Sequence, residues 1–153
     1  MTASASVSAP SLQLSRIGQI AITARDLPRA IAFYRDVLGM PFLFEAPKMA
    51  FFDCGGTVLS LYGRDDLARD CGRPVGAPDG QMLAHNVASA EAVAAAVASF
   101  LAAGGTLVKA PLTAHWGGTI AFVADPDGHV WEIAHNPFWP IDATGRVSLP
   151  PPA

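Results

Sequence analysis

Two polar side chains that could take part in binding or catalysis lie near opposite ends of the sequence, each inside a short run in which apolar residues alternate with others. Alternation places Gln19 on one strand face with Ala21, and Glu132 on the face opposite Trp131 and Ile133. An amide orients a ligand by donating and accepting hydrogen bonds, and a carboxylate in a cleft can act as a general base. The alternative interpretation of both residues is a structural hydrogen bond to a neighbouring side chain.

Five further side chains are candidates for ligand contact. Ser60 and Tyr62 share one face of a predicted strand, and Asn86 lies on another predicted strand. Together they would give a pocket floor of mixed polarity, although packing or solvent contact explains each one alone. His115 and Trp116 precede a strand, where they could close over a ligand or fill space between the two halves of the chain.

The composition is that of a folded chain with few charges. Of 153 residues, 51% are hydrophobic and 15% are charged, and the net charge is −3. These values exclude global disorder and remove the electrostatic basis of nucleic-acid binding. No apolar run approaches the roughly 20 residues of a membrane span, so a membrane is not an expected partner. Cys54 and Cys71 are interpreted as free thiols, which predicts a reducing compartment, the cytoplasm.

The sequence contains an internal repeat. A strand-like run, an amphipathic helix and three further strand-like runs occur twice, with the first strands starting at Gln19 and Met82. Asp26 and Ser89 are the predicted N-caps of the two helices. His129 falls in the turn before the last strand and is predicted to be exposed.

The repeat predicts one domain built from two modules. The expected segments are an N-terminal tail (1–15), a single domain (16–137) made of module one (16–63), a linker (64–80) and module two (81–137), and a Pro-rich C-terminal tail (138–153). A module of about 60 residues cannot bury both faces of its sheet alone, so the face without a helix must meet the other module or a second chain. We therefore predict an α+β fold in which two paired β-α-β-β-β modules form a curved, partly open barrel. A homodimer is expected, and the concave face is the expected ligand site.

Motifs at both ends of the repeat resemble the vicinal oxygen chelate superfamily. The first is QIAITARD at Gln19–Asp26 with AFYRDVLG at Ala32–Gly39, and the second is DPDGHVWEI at Asp125–Ile133. This superfamily includes glyoxalase I, bleomycin-resistance proteins and extradiol dioxygenases. The resemblance covers residues 16–137 and implies the paired-module fold. It does not imply one activity, because the fold hosts binding proteins and several chemistries.

The resemblance also implies four positions for metal ligands, on the first and last strand of each half. In this sequence they are Gln19, Ser60, Met82 and Glu132. Serine stands where a carboxylate is usual, and methionine stands where histidine is usual. One carboxylate and one amide do not hold Mg²⁺, Ni²⁺ or Zn²⁺ tightly. We expect no tightly bound metal and no other cofactor; a divalent ion, if one binds, would be held by Gln19 and Glu132.

Two main functions remain open on this basis. The first is a small-molecule binding protein with a degraded metal site, whose organic ligand is held in the cleft by Gln19, Asn86 and Glu132. The alternative is a metal-dependent lyase or isomerase of glyoxalase type, acting next to a carbonyl with Glu132 as ligand or base. A dioxygenase fits less well, since its iron site needs two histidines and a carboxylate. A pure interaction module is a third possibility.

Overall fold

The computed structural model describes residues 16–149 of the chain. The predicted N-terminal tail (1–15) and the end of the predicted C-terminal tail (150–153) lie outside the described residues. The elements, in chain order, are β1 (Gln19–Ala24), α1 (Leu27–Ala32) with a π-helical turn (Phe33–Val37), β2 (Phe42–Ala46), β3 (Met49–Asp53), β4 (Val58–Gly63), α2 (Arg64–Cys71), β5 (Leu83–Asn86), α3 (Ala90–Ala102), β6 (Thr106–Thr113), β7 (Thr119–Ala124) and β8 (Val130–His135).

The two modules have the same strand order. One four-stranded sheet runs β1-β4-β3-β2 and the other runs β5-β8-β7-β6. In each sheet the first and last strands of the module are parallel neighbours, while the remaining pairs are antiparallel. The predicted α+β fold with two paired β-α-β-β-β modules is confirmed. The sheets stay separate, so the barrel is not closed.

Each module's helix begins at the cap that the sequence predicts. The Asp26 carboxylate accepts a hydrogen bond from the backbone N–H of Arg29 at 3.1 Å, and the Ser89 hydroxyl accepts one from that of Ala92 at 3.2 Å. Such caps satisfy backbone donors that have no partner within the first helical turn. The caps therefore fix where the chain turns from the first strand of each module into its helix.

One hydrophobic core joins the two modules on the helix side of both sheets. Phe33 meets Phe100 of α3 edge to face, with ring centroids 5.2 Å apart. Tyr34 lies between Phe52 of module one and Trp131 of module two, at 6.1 Å from each ring. The modules thus share one core, and neither has to bury its helix side alone.

The strand face opposite the helix is called here the open face of each module. The open face of module one carries Gln19, Ala21 and Ser60, and that of module two carries Ala84 and Glu132. Gln19, Ala21 and Ala84 are exposed. Strands of one sheet make no extensive contact with strands of the other within residues 16–149, so these faces remain accessible.

A buried polar cluster also links the modules. The Tyr34 hydroxyl donates to the Asp125 carboxyl at 2.6 Å, and the Trp131 indole N–H donates to the Tyr34 oxygen at 3.1 Å. The other oxygen of Asp125 accepts the backbone N–H groups of Asp127 and His129 at 2.9 and 2.8 Å. One carboxyl therefore closes the turn between β7 and β8 and binds the helix of module one.

The prediction that His129 is exposed is wrong. Its side chain is 5% exposed, and Nε2 lies 2.6 Å from the backbone carbonyl oxygen of Thr23. A carbonyl only accepts, so Nε2 donates this hydrogen bond. The turn between β7 and β8 packs against the end of β1 in module one, which removes the imidazole from solvent.

None of the helices formed by residues 16–149 combines the length and the apolar character that crossing a membrane requires.

Tyr34→Phe is expected to lower the free energy of unfolding by about 1–3 kcal/mol, because it leaves a buried carboxyl oxygen without its donor.

The stability contributed by Tyr34 also depends on pH. Burial, with help from Asp125, raises the pKa of Tyr34 well above its usual value. Below about pH 10 the phenol of Tyr34 is protonated in both the folded and the unfolded state. Just above this pH the unfolded chain loses the proton, whereas the folded protein keeps it because its pKa is raised. This contribution to stability is therefore lost as pH rises, by up to about 1.4 kcal/mol per pH unit.

The measurement is urea unfolding of the native protein and of Tyr34→Phe between pH 8 and 11. The native protein should lose stability more steeply than the variant above about pH 10. Identical slopes for the two proteins would show that the phenol proton does not contribute.

Candidate functional site

Gln19 and Ser60 come together on the open face of module one. β1 and β4 are parallel neighbours, with Ala21 opposite Ser60. The Gln19 side-chain N–H₂ donates to the Ser60 hydroxyl at 2.8 Å. Ser60 is fully buried whereas Gln19 is exposed. The serine thus holds one end of the amide, and the amide carbonyl oxygen is the group left to accept a hydrogen bond from a ligand.

Glu132 lies on the open face of module two, apart from this pair. It is opposite Ala84 of β5 on one side and Phe122 of β7 on the other, and it is half-buried. The small alanine leaves space above the sheet beside the carboxylate, and the phenylalanine supplies an apolar wall. Gln19 and Glu132 belong to different sheets, and no hydrogen bond within residues 16–149 joins them.

The four positions implied as metal ligands do not form a donor set for a divalent ion. Met82 precedes β5 and is 47% exposed. It lies two residues before Ala84, the partner of Glu132, just as Gln19 lies two residues before the partner of Ser60, so the two positions correspond. The set is an amide, a hydroxyl, a thioether and one carboxylate. Within residues 16–149, no three His, Cys, Asp or Glu side chains converge as a metal site requires. Hard divalent ions need several oxygen or nitrogen donors with more negative charge, so these residues do not fit one.

The hydroxyl of Tyr62 already has a hydrogen-bond partner within the protein. Its hydroxyl donates to the Asp70 carboxylate of α2, and this hydrogen bond is the main reason why the pKa of Tyr62 is raised. Lys48 lies 3.6 Å from the same carboxylate. The phenol is thus held at the end of β4 by groups of the protein itself.

Asn86, at the end of β5 and two residues after Ala84, lines a groove between the modules. The groove has a volume of about 760 Å³, and its walls include Phe100 and His85 but neither Gln19 nor Glu132. Burial lowers the pKa of His85, which favours a neutral imidazole on this wall. Asn86 is therefore placed to contact the groove, while Gln19, Ser60 and Glu132 lie on the open faces.

Trp116 packs against its own loop between β6 and β7. A Cβ atom on Gly118 would lie 1.7 Å from the indole Cζ3, so the ring covers the α-carbon of that glycine. The backbone N–H of Ala114 donates to the Gly118 carbonyl at 2.8 Å and closes the loop. His115 is exposed in the same loop. The contact supports the interpretation of Trp116 as a packing side chain.

Sequence reasoning missed two phenylalanines beside the Gln19–Ser60 pair. The rings of Phe44 and Phe51 are stacked, with centroids 4.5 Å apart and planes at 29°, and Phe51 lies opposite Ser60. Simple alternation along β2 would put Phe44 on the helix side with Phe42. A register shift between these two residues, with Leu43 as the extra residue, reverses the alternation. No local sequence signal marks this bulge.

Comparison with known proteins identifies the protein family to which the chain belongs. The chain belongs to the Glyoxalase/Bleomycin resistance protein/Dioxygenase superfamily, whose family model matches residues 16–133. This confirms the resemblance noted in the sequence. A search of curated proteins finds no match.

Solved structures place the chain among relatives of this class. It is similar to a glyoxalase-related enzyme from Fulvimarina pelagi, with 37% identity, a TM-score of 0.84, and coverage of 89% of this chain and 99% of that one. It is also similar to a lactoylglutathione lyase from Agrobacterium tumefaciens, with 26% identity, a TM-score of 0.65, and coverage of 81% and 96%. A family enzyme from Burkholderia phytofirmans PsJN gives 26% identity, a TM-score of 0.67, and coverage of 77% and 96%.

Gly118→Ala is expected to displace the Trp116 ring and to destabilise the fold by about 1–3 kcal/mol, the usual effect of overpacking. Gly76→Ala is the control, because a Cβ there meets no atom within 4 Å. Thermal unfolding and tryptophan emission measure the two effects. A Gly118→Ala protein that matches Gly76→Ala in both would contradict the packing of the indole on this glycine.

Proposed function

We propose that this protein binds a small organic molecule at its open faces without the help of a divalent metal ion. The observation that carries the proposal is the donor set, in which Glu132 is the single carboxylate among the four expected ligand positions. The same set argues against a metal-dependent lyase or isomerase, since a tightly held ion needs more anionic or imidazole donors.

The polar side chains of the open faces are suited to binding an organic molecule. Gln19 offers a directed acceptor because Ser60 holds its amide at 2.8 Å. Glu132 offers a negative charge between a small residue, Ala84, and an aromatic one, Phe122. A few placed polar groups among apolar walls are typical of small-molecule sites. Glu132 is also the side chain of the site able to accept a proton from a bound ligand.

We infer that the protein works as a homodimer in the cytoplasm. Large apolar side chains remain exposed in one chain, among them Met82 at 47%, Leu107 at 48% and Val108 at 56%. Surface of this kind is commonly covered by a partner, and a second copy would also enclose a ligand on an open face. Cys54 and Cys71 are both free and exposed, which supports a reducing compartment. Sedimentation equilibrium of the full chain tests the dimer, and a monomer at all concentrations would contradict it.

Elemental analysis of protein purified without chelator is expected to find less than one divalent ion for every ten chains. The reason is the lack of charged donors beside Glu132. Glu132→Ala is the matched variant, and its metal content should not differ from that of the native protein. One ion per chain that disappears in Glu132→Ala would instead support the metal-dependent enzyme.

A thermal-shift screen of small organic metabolites and aromatic compounds is expected to find ligands, because a compound at 100 times its dissociation constant stabilises by about 2.7 kcal/mol. Gln19→Leu should weaken such a ligand about tenfold, which corresponds to the loss of one hydrogen bond. Gln81→Leu, at an exposed glutamine outside the open faces, is the control. Equal affinities for the two variants would remove Gln19 from the site, and a screen without ligands would overturn the proposed function.

A further inference from the structure

Phe44, which is exposed, and Phe51, which is half-buried, form an aromatic pair on the open face of module one, called here the aromatic platform. Their rings are stacked at 4.5 Å, and Phe44 is 54% exposed. A large aromatic side chain gains most from burial, so an aromatic surface held open to solvent in one chain favours contact with another molecule.

An irregularity in the pairing of β2 with β3 places Phe44 on this face. Phe42 packs against Phe52 on the helix side, with centroids 5.5 Å apart. Because of the extra residue, Leu43, the next phenylalanine lies opposite Phe51 and not on the core side. A bulge of this kind re-aims a side chain at a cost in ladder hydrogen bonds. Without it, Phe44 would point into the core layer.

The platform is continuous with the polar pair described above. Across the sheet, Phe44 is opposite Phe51, Phe51 is opposite Ser60, and Ser60 holds Gln19. Neighbouring strands are about 4.8 Å apart, so the serine is one strand spacing from the nearer ring. A ring stacked on the platform would therefore bring its substituents within reach of the amide.

Two features of this face select the substituent and the charge. One N–H of the Gln19 amide donates to Ser60 and holds the side chain, and the carbonyl oxygen, which accepts only, keeps its lone pairs for a ligand. Asp53 is exposed on the same face, paired with Val58 of β4, and its negative charge disfavours an anionic ligand. A matching ligand carries an N–H or O–H donor and is neutral or cationic.

We propose that the aromatic platform selects a neutral or cationic aromatic ring bearing a hydroxyl or amino donor, with the ring on Phe44 and Phe51 and the donor on the Gln19 carbonyl oxygen. This inference rests on the proposed small-molecule function and names the ligand class for that site.

The first experiment compares four probes by ligand-observed NMR titration against the full-length native protein. Tyramine is the matched probe, phenethylamine lacks the ring hydroxyl, 2-cyclohexylethylamine lacks the aromatic ring, and 4-hydroxyphenylacetate is anionic. Phenethylamine and 2-cyclohexylethylamine differ only in ring saturation, so phenethylamine should bind about three- to tenfold more tightly, as expected for one aromatic contact, and tyramine should bind more tightly than the other three probes. Equal binding of phenethylamine and 2-cyclohexylethylamine would overturn the proposal.

The second experiment uses two variants at exposed phenylalanines. Phe44→Leu should abolish the preference for phenethylamine over 2-cyclohexylethylamine, while Phe138→Leu, at a residue that is 62% exposed outside the open face, should keep it. Circular dichroism and sedimentation are recorded for both variants. An unchanged preference in Phe44→Leu, or dissociation of a dimer in that variant alone, would assign the pair to another role and overturn the inference.

The outcomes separate this inference from the function on which it rests. If the thermal-shift screen finds ligands that lack an aromatic ring, small-molecule binding stands and the selection by the platform fails. If neither the screen nor the probes give binding, both fail.

Discussion

The carboxyl of Asp125 lies where the two modules meet and accepts hydrogen bonds from both. It takes the Tyr34 hydroxyl at 2.6 Å and two backbone N–H groups of its own turn. A buried carboxyl is costly unless its oxygens are satisfied, and here the Tyr34 donor reaches the second oxygen only when the modules are docked. Arg25 and Asp127, 3.0 Å apart, and the His129 contact to Thr23 add links at the same junction. The relative position of the modules follows from these contacts.

Docking through the helix sides leaves the open faces uncovered within residues 16–149. Their polar content is small, so the ligand binding that we propose there relies on a few directed groups and on apolar contact. Gln19 is the most constrained of these groups, because the buried Ser60 orients its amide. The resemblance implies metal-ligand positions on these faces, and serine and methionine occupy two of them, at Ser60 and Met82. The fold is shared with the superfamily, whereas the function depends on the side chains that the open faces carry.

Much of the fold could be predicted from the sequence because the signals are local. The duplicated pattern of alternating runs and amphipathic helices gives the two modules, and Asp26 and Ser89 mark the helix starts. Strand alternation also places Gln19 and Ser60 on one face, where the structure brings them together.

The rest depends on packing between distant segments. His129 was expected to be exposed because turns usually are, but its turn docks on β1 of the other module. The aromatic platform was missed because a bulge reverses alternation, and the bulge is defined by the pairing of β2 with β3. Both features depend on contacts between segments that are distant in the sequence, and alternation within one strand does not encode such contacts.

The central claim is that an organic ligand occupies the open faces without a metal ion. The most direct measurement is two-dimensional NMR of the labelled full chain, titrated with the best ligand of the screen in the presence and absence of a chelator. The account predicts shift changes centred on Gln19, Ser60, Ala84 and Glu132 that are the same under both conditions. Shift changes that vanish with the chelator, or that fall only on the groove around His85, would contradict it.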